Sequence, residues 1–208
     1  MNEKTFQKAA GISAELAARW FPHVNAAMNE FGITTPARQA AFIAQIGTES
    51  GGFKTLSESF NYSIAGLSTF GSRLTASQRE QLGRRNDESA LPIERQRAIA
   101  NLVYGGRYGN KAAGDGYKFR GLKQITFLDN YLACGRALGI DLITNPDLLL
   151  QDDYAARSAG WFWKANNCNS FADSGDFLGL TQRINGGTNG LADRKARLVI
   201  ATKALAAA

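Results

Sequence analysis

The stretch AFIAQIGTESGGFKTLSESFNYS, Ala41–Ser63, carries two glutamates, Glu49 and Glu58, nine positions apart. Phe42 lies seven positions before Glu49 and Ile46 three before it, so a helix puts all three on one face. That spacing predicts a carboxyl on an apolar face, where loss of water favours the protonated form. Gly51-Gly52 end the helix. Glu58 follows in the polar segment TLSESFNYS, where it is expected to ionise normally. Two carboxyls in unlike surroundings form the pattern of an acid and a base. Hydrolysis of a sugar–sugar bond needs such a pair, one to protonate the leaving oxygen and one to activate water or attack. A surface glutamate at a helix end and a second capping a loop would look the same, so the pair alone leaves both readings open.

Outward from this segment the apolar spacing is helical. Ser13 reads as the N-cap of a helix to Phe31, with Leu16, Trp20, Val24 and Ala27 on one face and Pro22 expected to distort or divide it. Thr34 or Thr35, followed by Pro36, opens the Glu49 helix, and Leu91-Pro92 opens another that ends near Tyr104. Thr126 to Leu138 reads as helical, Asn145-Pro146 starts a long helix through Trp163, and the last helix runs from Leu191 to about Leu205. Strands are few. The expected class is mainly α, one domain over residues 1–208, with residues 1–31 as an N-terminal helical scaffold. The irregular stretches Gly51–Ser63 and Gly105–Gly121, the second a Gly-rich loop or small ribbon, are expected to build a groove.

Composition removes several classes. With 44% hydrophobic residues among 208 the chain builds a globular core. No apolar run approaches the ~20 residues of a membrane helix, so stable membrane insertion is not expected. The N-terminus lacks the apolar core of a signal peptide, which implies synthesis in a cytoplasm. The single histidine, His23, sits in a helical stretch without a triad partner, and no metal-site spacing or cofactor motif is present. Cys134 and Cys168 read as small buried side chains. The net charge of +6 favours a polyanion such as nucleic acid, anionic lipid or an anionic cell wall. The densest basic region, Arg95 to Lys123, carries no zinc finger, P-loop or RNA-recognition signature, so no nucleic-acid partner is expected.

Three ordered blocks carry a resemblance. AFIAQIGTESGGFKTLSESFNYS, GDGYKFRGLKQITFLDNY (Gly114–Tyr131) and RINGGTNGLADRKAR (Arg183–Arg197) resemble the signatures of glycoside hydrolase family 19, the chitinases and related phage and bacterial cell-wall lysozymes. AGWFWKANNCN resembles the stretch that precedes INGG in bacterial members. The resemblance implies a lysozyme-like helical fold, with lobes around a substrate groove. It implies Glu49 as general acid, Glu58 as the base that activates water for inversion, and Thr126 as the hydroxyl that holds that water. It also implies that Gln124, Asn130 and Asn185 bind substrate, that Arg194 lies near a catalytic carboxyl, and that Tyr62 lines the groove. No cofactor is implied. Four positions depart from the family pattern: Thr48 where histidine is frequent, Phe119 and Phe127 where glycine is usual, and Lys123 in place of an apolar residue.

Family 19 takes chitin and peptidoglycan, both β-1,4 chains containing N-acetylglucosamine. The size, the basic charge and the missing signal resemble an endolysin, a monomeric muramidase made in the host cytoplasm, released by a holin-type partner and acting on wall peptidoglycan. A chitinase of the same mechanism is the near alternative. A glycan-binding module without chemistry is another, which the intact glutamate pair disfavours.

Overall fold

The computed structural model of the protein describes residues 1–110 and 119–207. Its helices, α1 to α10, are joined by irregular segments; among the described residues β-structure is confined to isolated bridges.

The Glu49 helix is α3, Pro36–Glu49, with Thr35 accepting from the Arg38 N–H at its start. Proline fits its first turn because no intrahelical partner awaits that N–H. It ends where Gly51 (φ 57°) and Gly52 (φ 77°) take the left-handed conformation, which glycine adopts without a Cβ clash. Before it stand α1 (Glu3–Ala10), capped by Asn2, and α2 (Ala14–Glu30), capped by Ser13. Pro22 lies inside α2, which runs through it undivided. The carbonyl that loses its bond there belongs to Ala18, an exposed residue that water can serve. The interior of α2 is held by Trp20, fully buried, whose Nε1 donates to the Phe53 carbonyl at 2.9 Å.

The middle of the chain holds α4 (Ala76–Leu82) and α5 (Ile93–Tyr104), and α6 follows at Leu128–Leu138. The expected helix from Pro146 to Trp163 is two elements. A short 3-10 turn, Pro146–Leu150, gives way at Gln151 (ψ 137°) to α7, Asp152–Ala165. Asp152 and Asp153 then sit in the first turn of α7, where acidic side chains favour the helix dipole. The short helices α8 (Cys168–Ser174) and α9 (Phe177–Asn185), together with α1 and α4, went unassigned from the sequence; α10, Leu191–Ala206, was expected.

Three apolar clusters organise these elements. The main one joins α1, α2, α3, α7 and α10 around Phe6, Trp20, Phe42, Phe53 and Trp163. α3 packs along α10, α1 along α10 and α2 along α7, so residues 1–31 are built into the same core as the Glu49 helix. A second cluster gathers Phe60, Leu67, Leu74, Leu91, Ile99 and Tyr104. A third gathers Ile125, Tyr131, Cys134, Leu142 and Leu149 under α6. Cys134 and Cys168 are free and buried, and burial pushes both thiols up to about 12.

Residues 119–125 link the clusters. Arg120, 2% exposed, reaches Asp147 at 2.8 Å and donates to the Tyr131 hydroxyl at 3.0 Å. Gly121 (φ 81°) lies so close to α7 that a Cβ would meet Ser158 Oγ at 2.8 Å. Its N–H donates to the Leu56 carbonyl, which ties this loop to the segment after α3. Among the described residues no helix is long and apolar enough to cross a membrane.

Replacing Trp20 by Phe should keep the packing and leave the buried Phe53 carbonyl unserved. The expected cost is about 1–3 kcal/mol. It should appear as a lower urea midpoint with an unchanged slope.

Candidate active site

Glu49 closes α3 with its side chain 13% exposed. The face it occupies is not the apolar one that the spacing implied. Arg194 Nη2 donates to its Oε1 at 2.6 Å, and Lys123 Nζ lies 3.8 Å from its Oε2. Phe42 and Ile46 do enter the core, but the last turn of α3 projects past that core and meets α10 and the 119–125 loop.

Arg194 is itself buried, at 4% exposure. Its Nη1 donates to Gln45 Oε1 at 2.6 Å and its Nε to the Asn189 carbonyl at 3.1 Å. Gln45, one turn before Glu49 and fully buried, passes the chain on, its Nε2 donating to Thr181 Oγ1 at 2.9 Å. Thr181 donates in turn to the Phe177 carbonyl. A guanidinium suits this position because its planar fork serves a carboxylate and an amide at once. Thr48, where histidine is frequent in the family, donates to Asp193 at 2.7 Å. Arg197 first, and Thr48 after it, hold the Asp193 carboxyl below its ordinary range.

Glu49 opens on a cleft of about 290 Å³. Gln124, Thr126, Asn130 and Asn185 line it, with Phe119, Lys123 and Phe162. The amides have local duties as well. Gln124, itself at a left-handed φ of 62°, donates to the Gly121 carbonyl at 2.6 Å. Asn130 donates to the Thr126 carbonyl at 2.9 Å. Asn185 donates to the Asn189 carbonyl and accepts from the Gly187 N–H, both at 2.8 Å, so it shapes the INGG turn whose Asn189 also serves Arg194. Thr126, 9% exposed, precedes α6.

Glu58 adjoins this cleft through Phe119, whose carbonyl accepts the Glu58 N–H at 3.0 Å. Its surroundings are more aromatic than the polar sequence implied. The Tyr104 hydroxyl sits 2.7 Å from Oε2 and 2.9 Å from Oε1 and directs its one proton between them. Burial first, and the Glu58 charge second, push the Tyr104 phenol well above the ordinary tyrosine value. Tyr62 belongs to the same aromatic group, 5.1 Å from the Phe70 ring, and its phenol is raised by burial and by Glu58. It packs on the second cluster and is not among the residues that line the Glu49 cleft. Residues 114–118, part of the second sequence block, and the centre of the expected 105–121 loop lie outside the described residues.

Tyr104, Gln45 and Lys123 escaped assignment from sequence. Gln45 had a signal, a polar side chain inside an apolar helical run and one turn from Glu49. Tyr104 ends its helix without any pattern that points to Glu58. Phe127, where glycine is usual, keeps the left-handed φ of 68° that explains the glycine. Its ring packs at a tilt against Tyr108 at 4.8 Å and edge-to-face with Tyr104 at 5.4 Å, contacts that offset the backbone strain. Among the described residues no cluster of acidic, His and Cys side chains could hold a metal.

The raised Tyr104 phenol has a pH consequence. The folded state keeps that proton after the unfolded chain loses it, so its contribution is full below pH ~10 and falls as pH rises above it. Urea midpoints from pH 9 to 11 should drop more steeply for the wild type than for Tyr104→Phe. Parallel slopes would show that the hydroxyl is not held as described.

Comparison with known proteins agrees with this architecture. A family model described as Chitinase class I matches residues 93–177. A glycosyl hydrolase family 19 domain-containing protein of Haemophilus influenzae is 37% identical over 191 residues, 84% of this chain and 87% of that protein. Endochitinase 1 of Theobroma cacao is 51% identical over 53 residues, 25% of this chain and 16% of that protein. Chitinase C from Streptomyces griseus shares the fold with a TM-score of 0.60 at 22% identity, over 99% of this chain and 76% of that one. The mainly helical, lysozyme-like fold is thus shared with chitinase C, and the chain belongs to glycosyl hydrolase family 19 and is a glycosidase.

Proposed function

We propose that this glycosidase cuts the glycan strands of bacterial peptidoglycan between N-acetylmuramic acid and N-acetylglucosamine, by an inverting acid–base mechanism. The observation that carries the mechanism is the seat of Glu49: a largely buried carboxyl, fixed by Arg194 at 2.6 Å, on a cleft lined by three amides and a hydroxyl. Amides both donate and accept, as sugar hydroxyls and N-acetyl groups require.

In this reading Glu49, in its protonated form, gives its proton to the glycosidic oxygen as the bond to the sugar C1 breaks. Water adds to C1 from the opposite face. Glu58 takes the proton that the water loses, and Thr126 orients that water by its hydroxyl. A hydroxyl positions water but removes a proton from it poorly, so the carboxylate is the base. The Tyr104 hydrogen bonds fix the direction of the Glu58 carboxylate. Afterwards Glu49 is charged and Glu58 protonated, and exchange with solvent resets both. Gln124, Asn130 and Asn185 contact the glycan in the Glu49 cleft, and Tyr62 contacts it beyond that cleft, on the Glu58 side.

The net charge of +6 and the cations at the cleft support the anionic wall polymer over a neutral one. The protein then works as a monomeric endolysin, reaching the wall from the cytoplasm through a holin-type lesion. Chitin is the second reading, favoured by the match to plant endochitinases over 53 residues.

Purified peptidoglycan digested with wild type, then reduced and analysed by mass spectrometry, should show reduced muramic acid ends. Glu49→Gln should cut their release roughly 10²–10⁴-fold, since an amide has no acidic proton to give. No new ends from wild type would reject peptidoglycan and move the test to chitin oligomers. Thr126→Ala should lose less activity than Glu58→Gln, because it only positions the water. A loss as large as that of Glu58→Gln would reassign the base. Proton NMR of the first product should show the α anomer before mutarotation.

A further inference from the structure

Lys123 stands where an apolar residue is usual in the family, and its surroundings look costly for a lysine. The side chain is 12% exposed, and burial pulls the ammonium below the ordinary lysine value. Its Nζ lies 4.4 Å from the centre of the Phe162 ring and 3.8 Å from Glu49 Oε2. Among the described residues it donates no hydrogen bond. Arg194 is differently placed: Glu49, Gln45 and the Asn189 carbonyl occupy its fork. One carboxylate thus faces two cations, and only Arg194 is committed to it by hydrogen bonds. When Glu49 carries the proton that acid chemistry needs, Lys123 faces no charge of opposite sign on it. Lys123, Phe162 and Glu49 all line the cleft, so the ammonium borders the space that the substrate enters.

We propose that Lys123 binds a carboxylate of the substrate, carried on the 3-O substituent of the muramic acid ring. This rests on the peptidoglycan reading and names the group by which the cleft distinguishes that polymer from chitin. The 3-O substituent belongs to the sugar whose C1 is attacked, about one ring's width from the oxygen that Glu49 protonates, which matches an ammonium beside Glu49. Two sources offer this chemistry: the lactyl carboxylate of a strand without peptide, and a carboxylate of the stem peptide where one is attached. A neutral chitin chain offers neither. An ammonium on a flexible stem suits a substituent of variable position, since it acts as a point charge and needs no fixed fork.

The test compares peptidoglycan in two forms, with its carboxylates free and with them capped as neutral amides, and counts new reducing ends. For wild type, capping should lower kcat/KM roughly tenfold or more, the size of one charge-assisted hydrogen bond. For Lys123→Met, capping should change it less than threefold, and Lys123→Arg should recover part of the sensitivity. Amidase-stripped strands and stem-bearing strands, each capped or free, assign the carboxylate to the lactyl group or to the stem. Equal effects of capping on wild type and Lys123→Met would overturn the proposal. So would wild type that ignores capping, a result that needs no variant to fold. Wild type that releases no ends from either form would instead reject the peptidoglycan reading.

Discussion

The ion pair between Arg194 and Glu49 is the contact on which the site's geometry turns. A buried carboxylate and guanidinium lose hydration, and their attraction offsets that loss only where their remaining polar atoms are also served. Here they are. Arg194 uses Nη2 on Glu49, Nη1 on Gln45 and Nε on Asn189, and Gln45 passes its own donor to Thr181. The network binds the end of α3 to the start of α10, to the INGG turn and to α9. Four separate segments thereby fix one carboxyl in one orientation, which the proposed role of proton donor to a single oxygen requires.

The opposite wall is set by different means. Gly121 presses the 119–125 loop against α7, and the Leu56 carbonyl takes its N–H. Beyond it, Asn110 is a joint between α5 and α6: its Nδ2 donates to the Tyr104 carbonyl and its Oδ1 accepts from the Leu128 N–H. α6 has no capping side chain of its own, so Asn110, 18 positions before Leu128, supplies one. Tyr104 is thus located at both ends, its backbone by Asn110 and its hydroxyl by Glu58. The aromatic second cluster gives Glu58 a firm neighbour where a polar loop alone would leave it mobile.

The sequence made the helices with clear punctuation legible. Ser13, Thr35-Pro36, Gly51-Gly52 and Pro92 mark boundaries that the structure keeps, because a cap or a left-handed glycine is a local property of the chain. Of the two outcomes open at Pro22, distortion or division, division is absent because its lost hydrogen bond falls on the wet side of α2, a fact of packing. The break at Gln151 misled because Leu148 and Leu149 continue the apolar pattern into a turn that is not α-helical. At the site, the position of Glu49 was readable from spacing, yet its cationic neighbours come from 74 and 145 positions away, Lys123 and Arg194. Family resemblance supplied Arg194, while nothing local supplied Tyr104 as a partner for Glu58, 46 positions apart.

That long span between Glu49 and Arg194 also fixes an order of events. Contacts between distant positions form late, after the loop between them has closed. A nascent chain with both glutamates already made still lacks α10, and with it the guanidinium that orients Glu49. A product interrupted between residues 58 and 194 therefore holds the two carboxyls without the grip that aligns the first of them. The topology thus places the grip on Glu49 among the last contacts that the emerging chain can make.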